Sequence, residues 1–145
     1  DAHLSFYPAA HLRPDVKNWT ESPKLILHGD ADDWTPLHFV EGLMPQLPNA
    51  TLHVYLGAHH SFDSEKEFAL LPKAVHLKKR TARIDKNGYM SGKLFLGIRL
   101  PLNQRWQRRW IIRILRNRGA HVEGNPMARA DSLVRAREFF MEQLC

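Results

Sequence analysis

The sequence predicts an α/β fold in which short parallel strands pack against flanking helices. Two observations lead to this prediction. A strand, a turn, a helix and a second strand follow one another within about 30 residues, between Lys24 and Leu56, which is the size and order of a βαβ unit in a parallel sheet. The chain also has 145 residues, of which 43% are apolar and 25% charged, the length and composition of one globular domain.

Each predicted strand is a short apolar run that ends at proline or glycine. The three runs are Ala2–Tyr7, Lys24–His28 and Thr51–Leu56. Between the second and the third, Thr35 and Pro36 have the residue types of a helix N-cap and of the first helical position. Apolar residues at helical spacing then extend the predicted helix over residues 37–47.

A long terminal helix is predicted after Asn125 and Pro126, which repeat the same start signal. We expect this helix to pack one face on an apolar surface. The residues that define that face are Leu133, Val134, Arg137, Phe140 and Leu144.

The net charge of +6 is the sum of two unlike parts. Residues 73–118 hold 14 lysines and arginines and a single acid, Asp85, so this segment carries a charge of +13. The rest of the chain holds seven basic and 14 acidic residues, a charge of −7. This division excludes a uniformly basic nucleic-acid-binding domain, and no nucleic-acid partner is expected.

Cysteine usage and the ends of the sequence exclude several classes of protein. The only cysteine is Cys145, which excludes an internal disulfide framework and a cysteine-based zinc site. No apolar run approaches the roughly 18 residues of a membrane span, and residues 1–8 are unlike a signal peptide. Because the chain begins inside a predicted strand, we expect an N-terminal region to be missing. The compartment therefore stays open between cytoplasm and periplasm, and the oligomeric state stays open as well.

Acidic and histidine side chains follow two neighbouring strands of the predicted sheet. Asp30, Asp32 and Asp33 come after the second strand, and His59 and His60 come after the third. Ligands of parallel sheets bind beyond the carboxyl ends of the strands. The sequence therefore predicts an Asp–His pair there, in which the carboxylate orients an imidazole that acts as a general base.

Three stretches of the first half carry motifs of a known family. They are Ser5-Phe6-Tyr7-Pro8, Leu27-His28-Gly29-Asp30-Ala31-Asp32-Asp33-Trp34-Thr35-Pro36 and Val54-Tyr55-Leu56-Gly57-Ala58-His59-His60-Ser61-Phe62-Asp63. In this order and spacing they resemble the C-terminal portion of the dienelactone hydrolase family, which has the α/β-hydrolase fold. The resemblance covers residues 2–63 and returns more loosely at residues 124–144. It implies a single, partial α/β-hydrolase domain over residues 1–145, built of C-terminal parallel strands and flanking helices. Residues 73–118, which the resemblance does not cover, are predicted to form a basic, insert-like helical segment before the closing helix.

The resemblance also implies roles for individual residues. By position, Asp32 corresponds to the acid and His60 to the base of the family's catalytic triad. Trp34 either lines the substrate pocket or only packs in the protein interior, as an aromatic residue after a strand often does. Asp30 and Asp33 fit a turn and a helix start. The implied activity is hydrolysis of a small-molecule carboxylic ester or lactone, with no cofactor and no metal.

The triad nucleophile is not found in this sequence. A serine or cysteine nucleophile would precede Asp32 on an elbow flanked by glycines, and neither Ser5 nor Ser22 has such glycines. We therefore expect a fragment that lacks the nucleophile and is inactive alone. Ser64 stands where well-known members of the family have an arginine that holds the substrate carboxylate, so general ester or lactone hydrolysis is expected rather than hydrolysis of a dienelactone itself.

The basic segment offers an alternative function. Residues 103–118 are amphipathic at helical spacing, with Trp106, Trp110 and Ile114 on one side and arginines on the other. One interpretation is a surface helix that packs its apolar side on the rest of the protein and leaves its arginines in solvent. The other is a non-catalytic binding module that contacts polyanions, a membrane surface or a partner protein.

Overall fold

The computed structural model describes residues 1–14, 19–77, 82–85, 87–93 and 95–144. Within them lie nine strands, which form three sheets, and three α-helices. The strands are β1 (His3–Phe6), β2 (Leu12–Pro14), β3 (Lys24–Gly29), β4 (Ala50–Tyr55), β5 (Ala69–Leu77), β6 (Ala82–Ile84), β7 (Met90–Lys93), β8 (Arg99–Pro101) and β9 (Arg116–Val122). The helices are α1 (Leu37–Glu41), α2 (Arg105–Leu115) and α3 (Pro126–Leu144).

A three-stranded parallel sheet forms the centre of the molecule, in the order β1-β3-β4. Every residue of the middle strand β3 is buried, as expected for an apolar run covered on both faces of a parallel sheet. The three strands predicted from the sequence are thus confirmed within one or two residues, and α1 lies between β3 and β4 along the chain.

Alternate residues of β3 face two separate hydrophobic layers. Leu25 and Leu27 pack with Tyr55, Phe62 and the α3 residue Ala128 on one face. On the other face Ile26 packs with the α1 residues Phe39 and Val40. The sheet is therefore covered by α3 on one side and by α1 on the other, which leaves the carboxyl ends of its strands for the site described below.

The start of α1 differs from the prediction. The helix begins at Leu37 with Pro36 at the N-cap, makes no side-chain cap hydrogen bond, and ends at Glu41. A separate 3₁₀ turn, Met44–Gln46, continues the segment. Thr35 does not cap the helix because its hydroxyl bonds instead to Asp32 and to the carbonyl of Tyr7.

The predicted start of α3 is confirmed. The Asn125 side-chain oxygen accepts a hydrogen bond from the backbone N–H of Ala128 at 3.0 Å, the geometry of an N-cap. The face that α3 buries differs from the prediction, since Ala128 and Ser132 are buried while Leu133 and Val134 are 61% and 53% exposed.

The prediction of a partial α/β-hydrolase fold is wrong. That fold is one mainly parallel sheet with helices on both faces, whereas six of the nine described strands lie outside the parallel sheet. Four of them form a mixed sheet, β2-β6-β7-β8, and two form an antiparallel pair, β5-β9. Most of the described secondary-structure elements are therefore short strands, and the βαβ arrangement is local.

The prediction that the basic segment is helical is also wrong for most of its length. Among the described residues of 73–118, Arg105–Leu115 is the one α-helix and Phe95–Gly97 a single 3₁₀ turn, and strands occupy much of the rest. Asp85 turns the chain between β6 and β7, because its carboxylate accepts hydrogen bonds from the N–H groups of Asn87 and Tyr89. Arg116 starts β9, which pairs with β5 and so ends the helix.

In the part of the chain that the structure describes, no helix combines the length and the apolar composition that crossing a membrane requires.

Candidate active site

Two loops meet at the carboxyl ends of β3 and β4. Gly29 is needed for this contact, because a Cβ atom built there would lie 2.0 Å from the carbonyl oxygen of Ala58. The Asp30 carboxylate accepts a hydrogen bond from the N–H of Gly57 at 2.6 Å, and the N–H of Ala31 donates to the Ala58 carbonyl at 3.2 Å. The loop that carries Asp32 is thereby fixed against the loop that carries His60.

Asp32 is buried and accepts four hydrogen bonds. Its Oδ1 accepts from the N–H groups of Trp34, at 2.9 Å, and of Thr35, at 2.8 Å. Its Oδ2 accepts from the Thr35 hydroxyl at 2.8 Å and contacts His60 Nδ1 at 2.8 Å. Since an ionised carboxylate can only accept, the His60 nitrogen is the donor in this last bond.

These hydrogen bonds determine the charge of Asp32. Burial by itself disfavours the ionised form and would raise the pKa of the carboxyl group. The hydrogen bonds from His60 and Thr35, together with attraction to His60, outweigh burial and place the pKa of Asp32 below its ordinary value. Asp32 is therefore ionised at neutral pH and can stabilise a positive charge on His60.

His60 is held on one nitrogen and enclosed by two aromatic rings. Its Nδ1 bonds to Asp32 and also lies 3.3 Å from the Thr35 hydroxyl. The imidazole lies between Tyr7, with ring centroids 4.2 Å apart, and Trp34, at 4.8 Å. Because Nδ1 carries the proton in its bond to Asp32, Nε2 keeps a lone pair, and that nitrogen can accept a proton.

Trp34 thus lies beside His60, with ring centroids 4.8 Å apart. Its indole N–H donates to the carbonyl of Val75 at 3.2 Å, which orients the ring against the imidazole. The assignment of Trp34 to a substrate pocket stays a prediction.

The backbone of the His60 loop is also in contact with the end of β9 and with the segment between β9 and α3. His60 forms an isolated parallel bridge with Val122, and the Glu123 N–H donates to the His60 carbonyl at 3.1 Å. Gly124 approaches so closely that a Cβ atom there would lie 2.2 Å from the carbonyl oxygen of Ser64. The backbone position of His60 therefore depends on both halves of the chain.

Two residues that support the site were not identified as site residues from the sequence. Thr35 was assigned to a helix cap, and Tyr7 was part of a strand motif. The Tyr7 hydroxyl donates to Asp63 at 3.0 Å. Burial, together with this hydrogen bond and the charges of Asp63 and Asp32, raises the pKa of Tyr7 to about 12. Only a contact across 53 residues of sequence brings Tyr7 to His60, so local pattern could not reveal it.

Asp33, which follows Asp32 along the chain, forms a second Asp–His pair with His121. Asp33 accepts a hydrogen bond from the backbone N–H of His121 at 2.8 Å, and its other carboxylate oxygen lies 2.7 Å from His121 Nδ1. This pair is much more exposed than Asp32 and His60, with 43% of the Asp33 and 37% of the His121 side chain accessible. Asp33 thus fixes β9 to the β3 loop, a role that the sequence did not reveal.

His59 points away from Asp32. Its Nε2 is 3.9 Å from the Glu123 carboxylate and its ring packs on Phe68. Among the described residues, the ring of His60 hydrogen-bonds to Asp32 and Thr35 and to no serine hydroxyl. Within those same residues, no three or more histidine, cysteine or acidic side chains are grouped as metal ligands would be.

Comparisons with known protein families, curated proteins and solved structures found no match. The resemblance of residues 2–63 to the dienelactone hydrolase family therefore stays a prediction that rests on the motifs themselves.

Proposed function

We propose that this chain supplies the acid and base residues of a carboxylic ester or lactone hydrolase of the dienelactone hydrolase type. The observation that carries the proposal is the 2.8 Å contact between His60 Nδ1 and the Oδ2 atom of Asp32, a buried carboxylate that is ionised at neutral pH. The sequence motifs around both residues support the same chemistry, because each stands where the family has its triad acid and its triad base.

In the proposed reaction His60 acts first as a base and then as an acid. Its Nε2 takes the proton of a serine or cysteine nucleophile as that group attacks the ester or lactone carbonyl. Asp32 stabilises the imidazolium that forms and holds its orientation. His60 then gives the proton to the leaving alcohol, and a water activated in the same way hydrolyses the acyl-enzyme. This sequence of steps needs no cofactor.

The nucleophile in this proposal comes from residues outside this sequence. No serine or cysteine before Asp32 stands on a glycine-flanked elbow. The 145 residues alone are therefore expected to lack esterase turnover. The substrate class is kept general because Ser64 replaces the family's carboxylate-binding arginine.

The two adjacent Asp–His pairs provide a matched test. We would express the natural reading frame that contains these residues and measure hydrolysis of p-nitrophenyl acetate and of a simple lactone. Asp32→Asn is expected to lower kcat about 10⁴-fold, because the asparagine no longer holds the required tautomer, and His60→Ala by a similar factor. Asp33→Asn and His121→Ala alter the neighbouring pair and are expected to leave kcat close to that of the unsubstituted enzyme.

Turnover that survives His60→Ala would contradict the proposal. Equal losses for the two pairs would also contradict it, since they would indicate that both pairs act only by holding the loops in place. Circular dichroism of each variant would show that the substituted proteins are folded.

A further inference from the structure

Helix α2 exposes an apolar row to solvent. Trp106, Trp110 and Ile114 follow one another at intervals of four residues, so they lie along one side of the helix. Their exposed fractions are 68%, 50% and 51%. The sequence left open whether this side packs on the rest of the protein, and in the structure half or more of each of these three side chains is exposed to solvent. Exposed apolar rows of this kind are typical of surfaces that bind another protein, a membrane or a ligand.

A row of arginines runs beside the apolar row. Arg105, Arg109 and Arg113 have the same spacing, each one residue before a member of the apolar row, and all three are exposed. Within the described residues none of the three forms an ion pair with a carboxylate. Their charges are therefore available to an external anion.

An apolar groove adjoins this helix. It is lined by Leu100, Pro101, Trp106, Gln107 and Trp110 and encloses about 270 Å³. Leu100 and Pro101 belong to β8, and the chain just before this strand exposes Leu96 at 83% and Ile98 at 59%. The apolar surface thus includes parts of the neighbouring sheet as well as the helix.

We propose that α2 and β8 dock on the surface of an anionic lipid bilayer. The three arginines are complementary to anionic headgroups, and the exposed aliphatic residues Ile98 and Ile114 need a hydrocarbon phase to bury them. Trp106 and Trp110 suit the boundary between the two, where tryptophan is enriched. A nucleic acid would neutralise the arginines and could stack on the tryptophans, but its phosphates would leave the aliphatic residues in water. This surface shares no residue with the Asp32–His60 site and does not depend on the proposed hydrolase function.

Vesicle binding tests the proposal on the full chain. The protein would be sedimented with sucrose-loaded vesicles of phosphatidylcholine alone and of phosphatidylcholine with phosphatidylglycerol. Binding is expected only to the anionic vesicles and is expected to weaken at high salt. Replacing Arg105, Arg109 and Arg113 with glutamate is expected to weaken partitioning by about 100-fold or more, from roughly fivefold for each arginine lost. Replacing Trp106 and Trp110 with serine is also expected to abolish binding.

Matched variants distinguish vesicle binding through this surface from a general effect of net charge or of exposed apolar side chains. Lys66→Glu, Lys73→Glu and Arg137→Glu change the net charge by the same amount outside α2, and Leu133→Ser with Val134→Ser removes exposed apolar side chains from α3. Both sets are expected to bind like the unsubstituted chain. Quenching of tryptophan emission by brominated lipids, lost when Trp106 and Trp110 are replaced, would support insertion in a folded protein.

Several outcomes would overturn the proposal. They are a lack of vesicle binding at low salt, equal losses in the matched variants, salt-dependent binding to DNA without binding to vesicles, and dimerisation through α2 in analytical ultracentrifugation without lipid binding.

Discussion

Three aspartates within four residues of sequence have three different partners. Asp30 accepts a hydrogen bond from the N–H of Gly57, Asp32 bonds to His60, and Asp33 bonds to His121. Asp32 alone among the three is buried. Burial strengthens the interaction of Asp32 with His60, and the four hydrogen bonds keep its carboxylate ionised against the effect of burial.

The lowered pKa of Asp32 predicts how it contributes to stability as the pH changes. A carboxyl group whose pKa is lower in the folded than in the unfolded protein stabilises the fold above its ordinary pKa of 3.8, and this contribution is lost as the pH falls through the lower, folded value. Asp32→Asn is therefore expected to lower the free energy of unfolding by about 2–3 kcal/mol at neutral pH. The difference from the unsubstituted chain should shrink below about pH 4.

Urea unfolding of both proteins over this pH range would measure the difference. Because other acids such as Glu65 and Asp131 also have lowered pKa values, only the difference between the two proteins isolates Asp32. A difference that stays constant down to the lowest pH would contradict the assignment of a lowered pKa.

At the residue scale, the sequence allowed the central pair to be predicted but not its surroundings. Asp32 and His60 could be paired because each follows a strand, and parallel neighbours bring their carboxyl ends together. Thr35 and Tyr7 could not be identified as supports. A threonine before proline favours a helix cap in isolation, and the contact of Tyr7 with His60 exists only in the folded chain.

At the scale of elements, the close approach of the β3 and β4 loops sets the geometry of the pair. Gly29 is the last residue of β3 and has no room for a side chain against Ala58, which lies two residues before His60. Any movement of this contact therefore moves the imidazole relative to Asp32.

Gly29→Ala is expected to destabilise the protein and to separate Asp32 from His60. The added methyl would lie 2.0 Å from the Ala58 carbonyl oxygen, so the loops must shift, at a cost of about 3 kcal/mol. The free energy of unfolding from urea titration would measure this cost. Gly57→Ala is the matched control, since its Cβ meets nothing within 4 Å and only its positive φ of 70° opposes alanine, at about 1–2 kcal/mol. A smaller loss for Gly29→Ala than for Gly57→Ala would contradict the close contact.

The elements with strong local signals were predicted well, and those determined by pairing were not. The apolar runs of β1, β3 and β4 and the cap of α3 at Asn125 are local features, and the structure confirms them. The predicted helix through Arg118 ends instead at Leu115, because Arg116 pairs with Leu77 of β5 and starts a strand. Strand pairing of this kind is set by distant residues and leaves little trace in helical periodicity.

At the scale of the whole molecule, the division of charge along the chain matches the division between residues that form the hydrophobic core and residues that do not. Both hydrophobic clusters of the described residues draw their members from residues 4–62 and 128–139, and neither includes a residue of the basic segment 73–118. The acidic remainder of the chain thus builds the packed centre, while the basic segment adds small sheets and the exposed helix α2. The fold prediction failed because it placed a helical segment where the chain forms most of the strands of two further sheets.

The central claim is that Asp32 holds His60 with a proton on Nδ1 and a lone pair on Nε2. Long-range ¹H–¹⁵N NMR of the imidazoles measures this directly, with the His60 signals assigned by their loss in His60→Gln. At neutral to mildly alkaline pH we expect a protonated Nδ1 and an unprotonated Nε2 in His60, and loss of this preference in Asp32→Asn but not in Asp33→Asn. A His60 ring protonated on Nε2, or one that Asp32→Asn leaves unchanged, would contradict the account.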